Sequence, residues 1–204
     1  MRILFHSLLL LIGLIVFHSS LSAQNCYTEW QVDGNSVMRI EGTTNVNEFV
    51  CTSIEYDGGD VMREYCDAQG VHFLEGVVKM SASGFDCQHA VMSKDFRKTL
   101  NASEFPEIII EFNNLEEDLN YPAGTVFTGE VNITLSGVER TYNLTCRVLQ
   151  DRNQRYLKGS NEFKFTDFGI DPPKKFLGAI KVRNEVTVDF NLRLYDAAIK
   201  KRGE

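Results

Sequence analysis

The sequence predicts an all-β fold, a wide antiparallel sheet curled around an apolar interior, and three stretches carry that reading. The first runs from Thr125 to Leu149. Phe127, Gly129, Val131, Ile133 and Leu135 share one face of its first arm, and Tyr142, Leu144, Cys146 and Val148 share one face of its second. Successive strand side chains point to opposite faces, so each arm has an apolar and a wet side. The period breaks at Gly137 and the polar Glu139-Arg140 pair, which places a turn there. The second stretch, Ile180 to Leu194, has the cleanest alternation. Ile180, Val182, Val186, Val188, Phe190, Leu192 and Leu194 face inward between outward Lys, Arg, Glu, Asp, Thr and Asn residues. In the third, Glu107 to Phe112, the inward residues are Ile108, Ile110 and Phe112. Parallel strands buried on both faces would be apolar throughout, so the alternation points to antiparallel pairing.

The remaining elements follow in chain order. Met1 to Ala23 has a positive start at Arg2, an apolar run from Ile3 to Phe17 and a small-residue exit, which reads as a secretory signal peptide ending before Gln24. A membrane anchor is the rival, but spanning takes roughly 20 apolar residues and His6, Ser7 and His18 confine this run. Gln24 to Glu204 then forms one domain, exported to the periplasm or secreted. Trp30 to Val32 and Val37 to Ile40 read as a first strand broken near Gly34. Thr43 to Tyr56 reads as one strand with a bulge or bend. Asp57-Gly58-Gly59-Asp60 is a turn. Val71 to Ala82 is strand again, with Leu74, Val78, Met80 and Ala82 on one face. Met92, Phe96 and Leu100 recur every fourth residue and predict one short helix around 89–101, which Pro106 prevents from continuing. The acidic run Glu116-Glu117-Asp118 reads as a solvated loop. Leu157 to Phe165 is a strand with Phe163 and Phe165 together, and Ala197 to Glu204 is a frayed end.

Charge and motifs exclude several functions. Removal of the leader takes one of 21 basic residues, Arg2, and leaves 20 against 28 acidic ones, a net charge of −8. Such a surface attracts neither nucleic acid nor anionic lipid headgroups over long range, so nucleic acid is no partner and membrane contact is at most transient. No nucleophile elbow, phosphate-binding loop or zinc-protease motif is present, and no catalytic residue is assigned. Asp167-Phe168-Gly169 matches a kinase triplet without the rest of a kinase and is a coincidence. Cys87 and His89 supply two metal-ligand types, too few for a site without further partners. That leaves a metal or redox enzyme as the weakest functional class.

Cys26, Cys51, Cys66, Cys87 and Cys146 all follow the leader, and in an exported chain they make disulfides plausible. Sequence alone leaves the full connectivity open. Cys51 and Cys87 each end a long strand-like segment and are expected to pair. Cys146 lies on an inward face, where a free thiol behaves as a small hydrophobe. Cys26 also raises lipid anchoring, a lesser alternative because Asn25 fits poorly before a lipidated cysteine. The odd count leaves oligomeric state open between monomer and homodimer.

Several stretches together resemble the YceI-like family of exported bacterial proteins. Met92 to Leu100 followed by Glu104-Phe105-Pro106-Glu107-Ile108 is similar to the family's short helix before a Phe/Tyr-Pro and a strand. Thr128 to Val138 resembles its hairpin, Phe163 to Ile170 its aromatic run ending in D-F-G-I, and Val182 to Val188 its closing strand. The order and spacing span most of Thr43 to Leu194. The chain departs from the family near Thr43 to Cys51 and adds Asp171 to Phe176 and several cysteines. The resemblance implies a lipocalin-like antiparallel barrel of about eight strands that holds an amphiphilic lipid with an isoprenoid chain, such as an isoprenoid quinone or polyprenyl lipid, and no other cofactor. It carries no catalytic residues. Strand parity selects the lining: Ile110, Phe112, Phe127, Val131, Ile133, Phe163, Phe165, Val186, Val188 and Phe190. The 14 Phe in the chain suit a lined cavity. The competing expectation is a structural or interaction barrel whose inward residues fill a core.

Overall fold

The protein is described from a computed structural model, which covers residues 26–118, 125–151 and 154–200. The expected leader, Met1 to Ala23, and the expected start at Gln24 lie outside the described residues. The strands are β1 (Tyr27–Val32), β2 (Val37–Thr44), β3 (Glu48–Ser53), β4 (Val61–Cys66), β5 (His72–Ser81) and β6 (Phe85–Asp86). Helix α1 (Ala90–Thr99) follows, then β7 (Glu107–Glu117), β8 (Thr125–Leu135), β9 (Val138–Asp151) and β10 (Gln154–Lys164). After β11 (Lys174–Lys175) comes the long β12 (Ile180–Asp196), and a short helix α2 (Ala197–Lys200) stands where a frayed end was expected.

All described pairings are antiparallel, and the sheet closes when β12 meets β1. Six of the strands are halves of three longer ones. β1 and β2 both lie along β12, with Trp30 opposite Asp196 and Thr44 opposite Val182. β4 and β3 continue one another against β1 and β2, and β5 and β6 continue one another against β4 and β3. The wall therefore has eight staves, three of them interrupted at one height. At that waist Gly59 N–H donates to Val32 O at 2.9 Å and Val32 N–H donates to Asp60 O at 2.8 Å. Gly58 has φ +74°, and a Cβ there would lie 2.5 Å from the Gly34 nitrogen, so the crossing requires glycine.

The structure corrects four expectations. Thr43 to Tyr56 is no single bulged strand: Thr44 Oγ1 accepts the N–H groups of Val46 and Asn47, turning the chain from β2 into β3. β4 was hidden because its inward positions are Met62 and Glu64, and a buried glutamate breaks the apolar period. Glu116 and Glu117 belong to β7 rather than to a loop; the strand carries past Phe112 by a register shift between Asn113 and Glu116. Phe165 leaves β10 and opens a 3-10 turn over Phe165–Phe168, closed by Gly169. The β8–β9 turn is also tighter than its polar residues suggest. Ser136 and Gly137 both have positive φ, the two-residue hairpin conformation whose twist matches the strands.

One end of the barrel is filled. Val32, Met62, Leu115, Phe127 and Leu157 are essentially inaccessible to solvent. Among them Glu64 on β4 accepts a hydrogen bond from Trp30 Nε1 at 2.7 Å, pairs with Arg155 Nη1 of β10 at 2.6 Å and contacts His72 Nδ1 at 2.8 Å. The Arg155 guanidinium lies 4.4 Å from the Trp30 ring centroid, a cation–π contact. β4 and β10 are not sheet neighbours, so this cluster reaches across the barrel.

Disulfides mark both ends. Cys26–Cys66 joins the start of β1 to the end of β4, and Cys51–Cys87 joins β3 to the residues before α1. Cys146 is buried and free, and burial pushes its thiol up to about 12. Non-reduced peptide mapping is expected to recover these two pairs, with Cys146 alkylated only after unfolding; recovery of Cys51 and Cys87 as free thiols contradicts the pairing. Glu64→Ala leaves the Trp30 N–H and Arg155 without their acceptor. Breaking a fully buried pair costs about 3–5 kcal/mol, and the partial exposure of Arg155 lowers the expected loss to roughly 2–3 kcal/mol in urea denaturation.

Candidate functional site

The opposite end is hollow beneath α1. The helix has no side-chain N-cap; its start is held by Cys51–Cys87 and by Ser93, whose Oγ accepts the Cys87 N–H at 2.9 Å and donates to Asp86 Oδ1 at 3.0 Å. That anchorage turns Phe96 inward, its ring centroid 5.5 Å from that of Phe85. The 3-10 turn brings Phe165 and Phe168 in from the other side. Below the three rings lies an apolar lumen of about 90 Å³.

Eight of the ten residues chosen by parity line this lumen: Ile110, Phe112, Ile133, Phe163, Phe165, Val186, Val188 and Phe190. Phe127 and Val131 do not. Phe127 sits in the filled half, and Val131 is fully buried between its ladder neighbours Phe112 and Tyr142 without bordering the lumen. Sequence reasoning left out Phe96, Leu100, Phe168, Met38, Ile40 and Leu144 as lining. For Phe96 and Leu100 the signal was the helical stripe, and for Met38 and Ile40 it was parity in the broken first strand. Phe168 lay in the triplet read as a coincidence.

Two glycines shape the wall. The Phe190 ring lies across Gly159, where a Cβ would fall 2.3 Å from Phe190 Cζ, and the Phe49 ring lies across Gly42 at the same distance. Each ring thus occupies the space that a side chain at the facing glycine would fill. At the rim Tyr142 packs edge-on to Phe163 at 4.7 Å and donates to Asp167 Oδ2 at 3.1 Å. Burial, with the Asp167 carboxylate second, pushes the Tyr142 hydroxyl up to about 12. It is a neutral donor at physiological pH.

A second, outer cleft of about 300 Å³ adjoins the lumen between α1, the β2–β3 turn and the chain from Pro173 to Val182. Phe96 and Phe165 belong to both walls, so two aromatic side chains stand between cleft and lumen. Ile180 and Val182, expected inward with the rest of β12, face this cleft, because the register of β12 against β2 shifts between Val182 and Val186. The metal alternative loses a ligand: Cys87 is bonded to Cys51 and offers no thiolate.

The geometry defines an antiparallel barrel closed and filled at one end, with an apolar chamber under a helix at the other. The chain belongs to the YceI-like family, whose domain model matches residues 20–194. No curated protein matches it. Among solved structures, BcnA of Burkholderia cenocepacia aligns with a TM-score of 0.59 at 15% identity, over 79% of this chain and 98% of that one. A polyisoprenoid-binding domain from Saccharophagus degradans, implicated in plant cell wall breakdown, aligns with a TM-score of 0.53 at 13% identity, over 82% of this chain and 98% of that one. At such identities the likeness is one of fold.

Gly159→Val tests the wall. Its Cβ forces the Phe190 ring off β10 and into the lumen, so the variant is expected to fold, with unchanged far-ultraviolet circular dichroism, and to lose xenon or benzene uptake seen in the parent. Equal uptake by both proteins contradicts the role given to the glycine.

Proposed function

We propose that the protein is an exported, non-enzymatic carrier that holds the chain of an amphiphilic lipid, of isoprenoid type, in the lumen and outer cleft. The observation that carries this reading is that the two spaces adjoin, with Phe96 and Phe165 in the wall of each. Family membership and the likeness in fold to a polyisoprenoid-binding domain from Saccharophagus degradans support the isoprenoid assignment. Two disulfides support an oxidising location, periplasmic or extracellular, and the bond from Cys26 to Cys66 disfavours a lipid thioether at Cys26.

The lumen alone is short of the roughly 300–1,000 Å³ usual for ligand pockets; lumen and cleft together reach that range. A buried CH₂-sized group contributes about 0.8 kcal/mol gross, and association costs roughly 4–15 kcal/mol. A ten-carbon chain therefore gains about 8 kcal/mol gross, within that range of costs, whereas a twenty-carbon chain gains about 16 kcal/mol and exceeds it. Polar contacts then orient the headgroup, and they belong at the rim rather than in the lumen.

A barrel with a filled core and no ligand is the second reading, and the small lumen favours it. Organic extraction of the purified exported protein followed by mass spectrometry separates the two. The carrier reading expects a bound lipid, or binding of isoprenoid quinones by the delipidated protein, with affinity rising at least tenfold from two isoprene units to four. It also expects Val188→Trp to stay folded and lose most of that uptake. No lipid on extraction and no binding after delipidation would overturn the carrier reading.

A further inference from the structure

The chain from Lys174 to Lys181 does something that neither core nor lumen needs. β11 pairs with β12 at Lys174–Lys181 and Lys175–Ile180, and the loop between them carries Phe176 and Leu177. These are the two most exposed large apolar side chains among the described residues, at 78% and 110%. Both hold positive φ, 51° and 56°, a backbone region that bulky residues seldom occupy. Burial gains neither of them anything, so the strain is not offset by packing within the chain.

The loop is also fixed in place. Asn45 in the β2–β3 turn donates from Nδ2 to Ala179 O at 2.9 Å, accepts the Lys181 N–H on Oδ1 at 2.8 Å, and gives its own N–H to Lys181 O at 3.1 Å. This clamp sets the exposed Val46 beside the loop, and Val91 on α1 shares the outer cleft with Phe176. Around the apolar tip the charge is locally reversed. Lys98, Lys174 and Lys175 line one groove, with Lys181 opposite Lys174 in the ladder, against Asp95 and Asp171. Asp95 is already paired with Lys175 at 2.7 Å. The chain after its leader carries −8, so a lysine-rich rim around two solvent-facing hydrophobes is a local exception.

We propose that this hairpin is a membrane-docking element: Phe176 and Leu177 insert into the interface of an anionic bilayer while Lys174 and Lys181 meet its phosphate headgroups. A rigid loop with apolar tips and cationic shoulders fits that boundary, where apolar burial and headgroup attraction add. A water-facing protein partner would not require the basic rim. The hairpin forms one wall of the outer cleft, so docking sets the cleft mouth against the leaflet. This deepens the carrier reading by naming the surface from which lipid is collected, and that connection rests on that reading; the docking itself does not.

Flotation of the exported protein with vesicles tests it. With vesicles of phosphatidylglycerol and phosphatidylethanolamine the parent is expected to float, and with phosphatidylcholine alone to float at least tenfold less. Phe176→Ser with Leu177→Ser should lower flotation on the anionic vesicles at least tenfold without changing the melting temperature, because both side chains are exposed. Lys174→Glu with Lys181→Glu should lower it comparably, as should raised salt. Absence of flotation by the parent, or equal flotation by the serine variant, overturns the proposal. So does a dimer in light scattering that the serine variant abolishes, which would make a second copy the occupant. Isoprenoid uptake from detergent solution is measured separately: a protein that floats but binds no isoprenoid keeps the docking element and loses the carrier reading.

Discussion

The Glu64 carboxylate is the constraint on which the arrangement of the molecule depends. It gathers Trp30, His72 and Arg155 from β1, β5 and β10 into one cluster across a barrel that backbone pairing joins only around its circumference. A buried acid without partners is strongly disfavoured, so the three donors have to converge, and their convergence plugs that end with polar groups seated among packed aliphatics. With that end occupied in this way, the apolar lumen lies toward the other. There the barrel is covered not by strand but by α1 and the 3-10 turn, each lowering aromatic side chains into the mouth. The molecule thus has one end plugged around Glu64 and an apolar lumen toward the other.

The cover itself is held by few contacts of different kinds. Cys51–Cys87 and Ser93 fix the start of α1, and Lys175 pairs with Asp95 from the Lys174–Lys175 strand. Between these anchors Phe96 and Phe165 contribute side chains to the walls of both the cleft and the lumen. Rotamer changes cost less than moving a strand, so side chains at the shared wall move more easily than the sheet around them.

Parity along β7, β8, β10 and β12 was enough to read the fold and most of the lumen wall, because alternation reports which face a side chain takes. It does not report height along the barrel axis. Phe127 and Phe112 have the same parity, yet one is packed in the sealed half and the other borders open space, and what separates them is the set of residues opposite. β4 was missed for a related reason: the inward glutamate that organises the sealed end is also what spoils the hydrophobic period. Thr43 to Tyr56 looked continuous because its turn is made by a threonine hydroxyl and asparagine rather than by glycine or proline. The three interrupted staves were visible only where Gly34 broke the first; the matching breaks in their partners depend on backbone crossing between strands far apart in sequence.

The placement of the two disulfides bears on how the chain matures. All four bonded cysteines precede position 90, whereas the fifth, Cys146, comes much later. In a chain delivered across a membrane from its N-terminus, both correct bonds can form before the odd thiol has emerged to compete. The last strand, which shuts the barrel against β1, arrives later still. In such a chain the covalent framework of the first half can be complete before the last strand arrives to close the barrel.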